Sequence, residues 1–148
     1  MYNKILAAVD LSDDSQKVID TALQMTGGTG KLHLVHVVEP VAAAYSMDIY
    51  AVYISEMQLE ATNFADEKLN KIGNEIGVDN KCIHTLLGTP APEVRNLANE
   101  INADAIVIGS HGHSGWKILL GSTAIKVLHG STCDVLTVHV GKDSWSER

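Results

Sequence analysis

The residues best suited to chemistry gather between Gly109 and Thr123. That stretch holds glycines at 109, 112, 115 and 121, histidines at 111 and 113, Lys117, and the hydroxyls of Ser122 and Thr123. Glycine lets a ligand approach the backbone closely, and N–H groups left free in a loop or at a helix start point at an anion. Phosphate is therefore the ligand this pattern suits. No widespread phosphate or nucleophile motif is present. Gly30-Lys31 is followed by Leu32 with no glycine five positions before Gly30, no G-x-G-x-x-G occurs, and Gly112-His-Ser-Gly115 lacks the spacing of a nucleophile elbow. A glycine cluster alone could be a flexible turn. The second small-residue site, Gly121-Ser122 before the next helical pattern, favours binding.

The same stretch offers weaker chemistry. His111 and His113 form an H-x-H pair, but no third ligand has a spacing that would bring it near, so no dedicated protein metal site is expected. Hydrolysis would need a base positioned near a terminal phosphate. The two histidines are the candidates, and nothing in the sequence orients them. Lys117 could neutralise phosphate or simply face water. Ser122 and Thr123 could cap a helix or contact phosphate.

The elements that position these residues alternate along the chain. Ile5–Val9 is a continuous apolar strand, as in a parallel sheet covered on both faces, and Asp10 ends it. Ser12 is read as the N-cap of the first helix, with Asp13 and Asp14 in its first turn and Gly27-Gly28 as its stop. Leu32–Val38 is the second strand. His33 and His36 lie three apart, hence on opposite faces, so they form no metal pair by themselves. Residues 41–52 have no clean period. They could be a lid, a partner surface or an early helix start, and their aromatics, Tyr53 included, could stack on a base but are expected to pack in the core.

From Ser55 to Ile76 the pattern is helical, with Met57, Ala61, Phe64, Ala65, Lys68, Leu69 and Ile72 marking the packed face. Asn80–Leu87 reads as a third strand, and Pro90 opens a short helix that runs to about Ala103. Ala105–Gly109 is the fourth strand, Ala124–His129 the last helix, and Val135–Val140 the fifth strand. Five alternations without linker or repeat make one doubly wound, mostly parallel α/β domain over residues 1–148.

The totals narrow the function classes. The chain has 148 residues, 45% apolar and 20% charged, and a net charge of −7. No basic run is present, which argues against nucleic acid or an anionic membrane as a main partner. Cys82 and Cys133 sit in apolar segments without C-x-x-C spacing and are expected to be buried free thiols. No signal-peptide pattern or membrane-length apolar run is visible, so the cytoplasm is the expected compartment.

Gly109-Ser-His-Gly112, eight residues, and then Gly121-Ser122 resembles the nucleotide-binding signature of the universal stress protein family, in its ATP-binding branch. The family usually has nine residues between the second glycine and the Gly-Ser/Thr pair, so this chain has a shorter variant of the loop. The likeness runs from Lys4-Ile-Leu-Ala-Ala-Val-Asp10 to Cys133-Asp-Val-Leu-Thr-Val-His139. It implies a Rossmann-like sheet of strand order 3-2-1-4-5, in which the winding reverses between strands one and four and the crevice beyond their C-terminal ends takes the ligand. It also implies ATP there, with a magnesium or manganese ion held mainly by the phosphates.

By that resemblance Val9 and Asp10 would meet the ribose or adenine side, and Ala8 and Val37 would wall the adenine; from the residues alone, Asp10 could equally cap the entry to the first helix and Val37 could be plain core. Ile108, Gly109, His111 and Gly112 would line the ribose and phosphates. Gly121, Ser122 and Thr123 would close the second phosphate clamp. Little or no turnover is implied, with a regulatory or protective role in stress. A homodimer is expected through the fifth strand, where Val135, Leu136, Val138 and Val140 need covering. The alternatives are a relative that binds no nucleotide and acts through protein contacts, and a slow ATP hydrolase.

Overall fold

The computed structural model describes residues 2–41, 48–110 and 122–140. Five strands form one parallel sheet: β1 (Ile5–Ala8), β2 (Leu32–Val38), β3 (Ile83–Leu87), β4 (Ala105–Gly109) and β5 (Asp134–Val138). Their order is β3-β2-β1-β4-β5, the order that the resemblance implied. Four helices alternate with them: α1 (Ser15–Thr26), α2 (Asp48–Glu75), α3 (Pro90–Glu100) and α4 (Ser122–Gly130).

Alternating side chains of the central strands feed two cores. Ile5, Ala7, Leu34 and Val107 join Val18, Ile19 and Leu69 of α1 and α2 on one face. Leu6, Ala8, Val35, Ile106 and Ile108 join Val94, Leu97, Ala124 and Val127 of α3 and α4 on the other. β1 is buried along its whole length. Such a strand needs side chains without polar groups, which explains its unbroken apolar run.

Several boundaries differ from the sequence expectation. β1 stops at Ala8, although the Val9 amide still donates to the Val35 carbonyl at 2.9 Å. Ser12 is not the cap of α1. The helix starts at Ser15, Asp14 makes no capping bond, and the first turn holds no carboxylate. The Ser12 hydroxyl is instead committed to Asp10. Residues 80–82 form a 3-10 turn, not strand, where the Asp79 carboxylate accepts the Lys81 amide at 2.9 Å. α3 ends at Glu100, and Asn102 follows in a left-handed conformation with φ 54°. Cys82 and Cys133 are free but only half-buried, each just before a strand rather than inside one.

The largest correction concerns α2. It starts at Asp48, so the early-start reading of residues 41–52 holds from there on; residues 42–47 lie outside the described residues. Its packed side is Ala65, Leu69 and Ile72 in the C-terminal half. Met57 and Phe64, expected to pack, are 41% and 68% exposed, and Tyr53 is exposed as well. Ala61 and Lys68 are also exposed. Two causes act: Phe64 and Lys68 stand at the level of the buried Ala65 and Leu69 but point to another side of the helix, whereas the turns that carry Tyr53 and Met57 lie beyond the sheet.

His33 and His36 do diverge. The His36 Nδ1 lies 2.8 Å from the Val9 carbonyl oxygen. His33 meets a residue that the sequence spacing gave no reason to pair with it: its Nδ1 is 3.0 Å from Nε2 of His84 on β3. The ring planes differ by 8° and the centroids are 5.3 Å apart, farther than the nitrogens by about a full ring width. Only rings lying end to end in a common plane satisfy both distances, so this is an in-line N–H···N bond and not a stack. Partial burial pushes both imidazoles below their ordinary value of 6.5; His84 and Lys4 lower His33 further, and Glu100 partly opposes the shift at His84.

The unfolded chain therefore takes up protons at these sites near pH 6.5 while the folded chain resists them. Stability should be full above that pH and fall as the pH drops through it toward the lower folded values. Urea titrations at pH 7.5 and 5.5 should show a smaller loss in a His33→Gln/His84→Gln variant than in the parent; an equal loss would refute this account.

Candidate functional site

Register places the ends of β1 and β4 side by side. Ala8 pairs with Ile108 on one side and Val35 on the other, so Asp10 and Gly109 leave the sheet at the same end of neighbouring strands. This is the point at which the winding reverses: β1 connects through α1 to β2 on one side, and β4 lies on the other. Loops diverge from such a point in opposite directions and leave a crevice.

Asp10 is held there by its own chain. Its Oδ1 accepts the Ser12 amide at 3.0 Å, the Ser12 hydroxyl at 2.6 Å and the Ser15 hydroxyl at 3.3 Å. Leu11 between them adopts φ 65°, a left-handed conformation that an L-residue with a bulky side chain seldom takes. Its side chain packs against the α1–α2 core, which holds the turn in place. Three donors on one oxygen fix the plane of the carboxylate. Among the described residues none donates to Oδ2.

The walls follow from the strand alternation. Ala8 and Ile108, 9% and 7% exposed, belong to the α3–α4 core together with Ala124 in the first turn of α4. Val37 packs against that same cluster. Val9 faces the other way, into the α1–α2 core. A Cβ built on Gly109 would lie 3.2 Å from Cγ2 of Val140 and 3.5 Å from Cγ2 of Val18. Its missing side chain thus lets the chain beyond β5 and α1 close in. The next residue, Ser110, is 4% exposed and donates its amide to the Val138 carbonyl at 2.8 Å, while its Oγ accepts the Val140 amide at 3.1 Å.

Of the residues expected to meet a ligand, Ala8, Asp10, Val37, Ile108 and Gly109 are thus gathered at one end of three neighbouring strands. Val9 is nearby with its side chain turned away. Ser122 and Thr123 open α4, Thr123 half-buried. His111, Gly112 and Gly121, with His113 and Lys117, lie outside the described residues. Sequence reasoning missed Ser12, Ser15 and Ser110 as parts of this frame. The spacing Asp10-x-Ser12 was the available signal, because an aspartate side chain commonly accepts the amide two residues on.

Among the described residues no group of three or more His, Cys, Asp or Glu side chains could hold a metal ion. No described helix is long and apolar enough to cross a membrane.

Comparison with known proteins agrees with this geometry. The sequence pattern of the universal stress protein family matches residues 1–139. Universal stress protein A homolog 1 of Coxiella burnetii is 38% identical over 138 residues, covering 93% of this chain and 96% of that protein. Among solved structures, the hypothetical protein MJ0577, studied for structure-based assignment of its biochemical function, superposes with a TM-score of 0.80 at 26% identity, covering 97% of this chain and 99% of that one. A universal stress protein in complex with cAMP superposes with a TM-score of 0.59 at 25% identity, covering 95% of this chain and 99% of that one. With the sheet order, the reversal point and the matched length in agreement, the chain belongs to the universal stress protein family.

Proposed function

We propose that this chain binds an adenine nucleotide, ATP in the first instance, beyond the C-terminal ends of β1 and β4, and acts as a dimeric, nucleotide-sensing regulator of a stress response in the cytoplasm. The observation that carries the reading is Asp10. A carboxylate whose Oδ1 is fixed by Ser12 and Ser15 presents Oδ2 in a set direction, which suits the vicinal hydroxyls of a ribose. Ala8 and Val37 would wall the flat base. Ile108, Gly109, His111 and Gly112 would line the ribose and phosphates, with Gly121, Ser122 and Thr123 closing the far side. A magnesium or manganese ion would be held by the phosphates rather than by a protein cage. The cAMP complex of a relative supports the adenine part of the reading.

The homodimer would form along β5, an edge strand of the sheet. Of the four apolar residues expected there, Val138 and Val140 are buried, Val135 packs inward and Leu136 is 38% exposed. The open backbone edge and Leu136 are what a partner strand would cover.

The decisive experiment is to purify the protein without added nucleotide, denature it, and identify what absorbs in the supernatant. One equivalent of ATP supports the proposal. No nucleotide, and no rise in melting temperature on adding ATP, would favour a member that acts through protein contacts alone. Rapid phosphate release would favour a hydrolase. Gly112→Val and Gly121→Val should each abolish binding while the melting temperature of the nucleotide-free protein holds; equal loss of both would mean that the glycines serve only the backbone.

A further inference from the structure

Among the described residues, none in the first half of α2 belongs to either core. Gly73 approaches Ile83 and Leu34, near the start of β3 and within β2, so the helix runs antiparallel to the strands. A helix of 28 residues is roughly 42 Å long, and β3, with 5 residues, roughly 17 Å. The turns before Phe64 therefore extend beyond the C-terminal end of the sheet by about 20 Å. The side chain of Gln58 ties this overhang to the exit of β2, its Oε1 accepting the Val41 amide at 2.5 Å.

The overhang is unusually apolar for a surface. Val52, Tyr53 and Leu59 are 62–67% exposed and Met57 is 41% exposed, and Phe64, 68% exposed where the overhang meets the packed half, continues them. Helical spacing sorts them into two ridges. Tyr53, Met57 and Phe64 (i, i+4, i+11) form one, and Val52 and Leu59 (i, i+7) form the other. Glu56 and Glu60 run between them, and a shallow groove is lined by Val52, Ser55, Glu56 and Leu59. From Leu32 to Glu67 the sequence contains no lysine or arginine. The charged side chains that this stretch itself sets beside the ridges, Glu56 and Glu60, are therefore all acidic, in a chain of net charge −7.

An apolar face of this extent on a surface marks an interaction site. Charge decides the occupant. A two-fold contact centred on these ridges would bring Glu56 and Glu60 of one copy against those of the other, and an anionic membrane would be repelled. We infer that the overhanging half of α2 docks a cationic amphipathic helix of another protein, its apolar row lying on the two ridges and its lysines or arginines meeting Glu56 and Glu60. This goes beyond the nucleotide reading and does not depend on it.

The test uses the full chain and a fluorescent 14-residue helix of leucine and lysine, read by anisotropy. Binding should saturate at one peptide per chain. It should weaken about tenfold or more in Met57→Ser/Phe64→Ser and also in Glu56→Gln/Glu60→Gln. It should be unchanged in Glu67→Gln/Glu75→Gln, which removes the same charge from the other half of the helix. Far-UV circular dichroism and melting should not move, because all these side chains are exposed.

Three outcomes would each overturn the proposal. The first is equal weakening by both charge pairs, or equal binding of a serine–lysine peptide, which would mean generic attraction. The second is concentration-dependent self-association, seen by sedimentation, that Phe64→Ser abolishes, which would make the occupant a second copy. The third is partition into phosphatidylcholine vesicles that the same variant abolishes, which would make it a lipid surface.

Discussion

Replacing Asp10 with alanine should weaken nucleotide binding about 10- to 100-fold, the effect of losing one hydrogen bond to a charged oxygen at ~1.5–3 kcal/mol. It should also cost about 1–3 kcal/mol of folding stability, because the hydroxyls of Ser12 and Ser15 and the Ser12 amide all lose their acceptor. Asp10→Asn separates the two effects. The amide oxygen can still accept at the Oδ1 position, so stability should largely survive, while the negative charge and one acceptor are gone and affinity still falls. Calorimetric titration with ATP, alongside urea unfolding of the nucleotide-free protein, measures both. If Asp10→Asn binds as the parent does, the carboxylate is only a clasp for the turn. Ser12→Ala should give a smaller loss in both measurements, since the Ser15 hydroxyl and the residue 12 amide still hold the oxygen.

The second large effect contrasts two residues five apart on one helix. Leu69 is fully buried between α2 and the sheet, and Leu69→Ala should destabilise by about 2–5 kcal/mol through lost burial and the cavity left behind. Phe64, the larger side chain, is 68% exposed, and Phe64→Ala should fall within about 0.5 kcal/mol of the parent. The urea midpoint should shift for the first and hold for the second, with the slope unchanged in both. A large loss for Phe64→Ala would mean that its face of α2 is covered in solution.

The same pair of residues shows where reading a sequence stops. Alternation of strand and helix, the apolar run of β1 and the glycine stretch after β4 follow from local chemistry, and with a family resemblance they led to the strand order and to the pairing of Asp10 with Gly109 across the reversal point. Periodicity told which residues of α2 share a face. It did not say how much of a broad apolar arc the sheet covers, so Phe64, about 140° round the helix from Leu69, was counted with it, nor where the sheet ends, because both depend on strands far away in sequence. Ser12 was misread for a related reason. A serine after an aspartate can cap a helix or bind the aspartate, and the left-handed turn at Leu11, which decides between them, has no signature in a leucine. The in-line meeting of His33 with His84 depends on how β2 and β3 are offset, which neither strand encodes alone.

Adjacency of β1 and β4 has a consequence for how the chain is made. Ile5 pairs with Ala105, one hundred residues downstream, whereas its other neighbour is Leu32. During synthesis β1, β2 and β3 can assemble early, but one side of the fully buried β1 stays bare until nearly three-quarters of the chain has emerged. Contacts so distant in sequence form slowly, and an uncovered strand flank invites pairing with other nascent chains. A nascent chain stalled once α3 has left the ribosome should therefore carry a sticky half-sheet that holdase chaperones protect, and emergence of β4 should end that dependence.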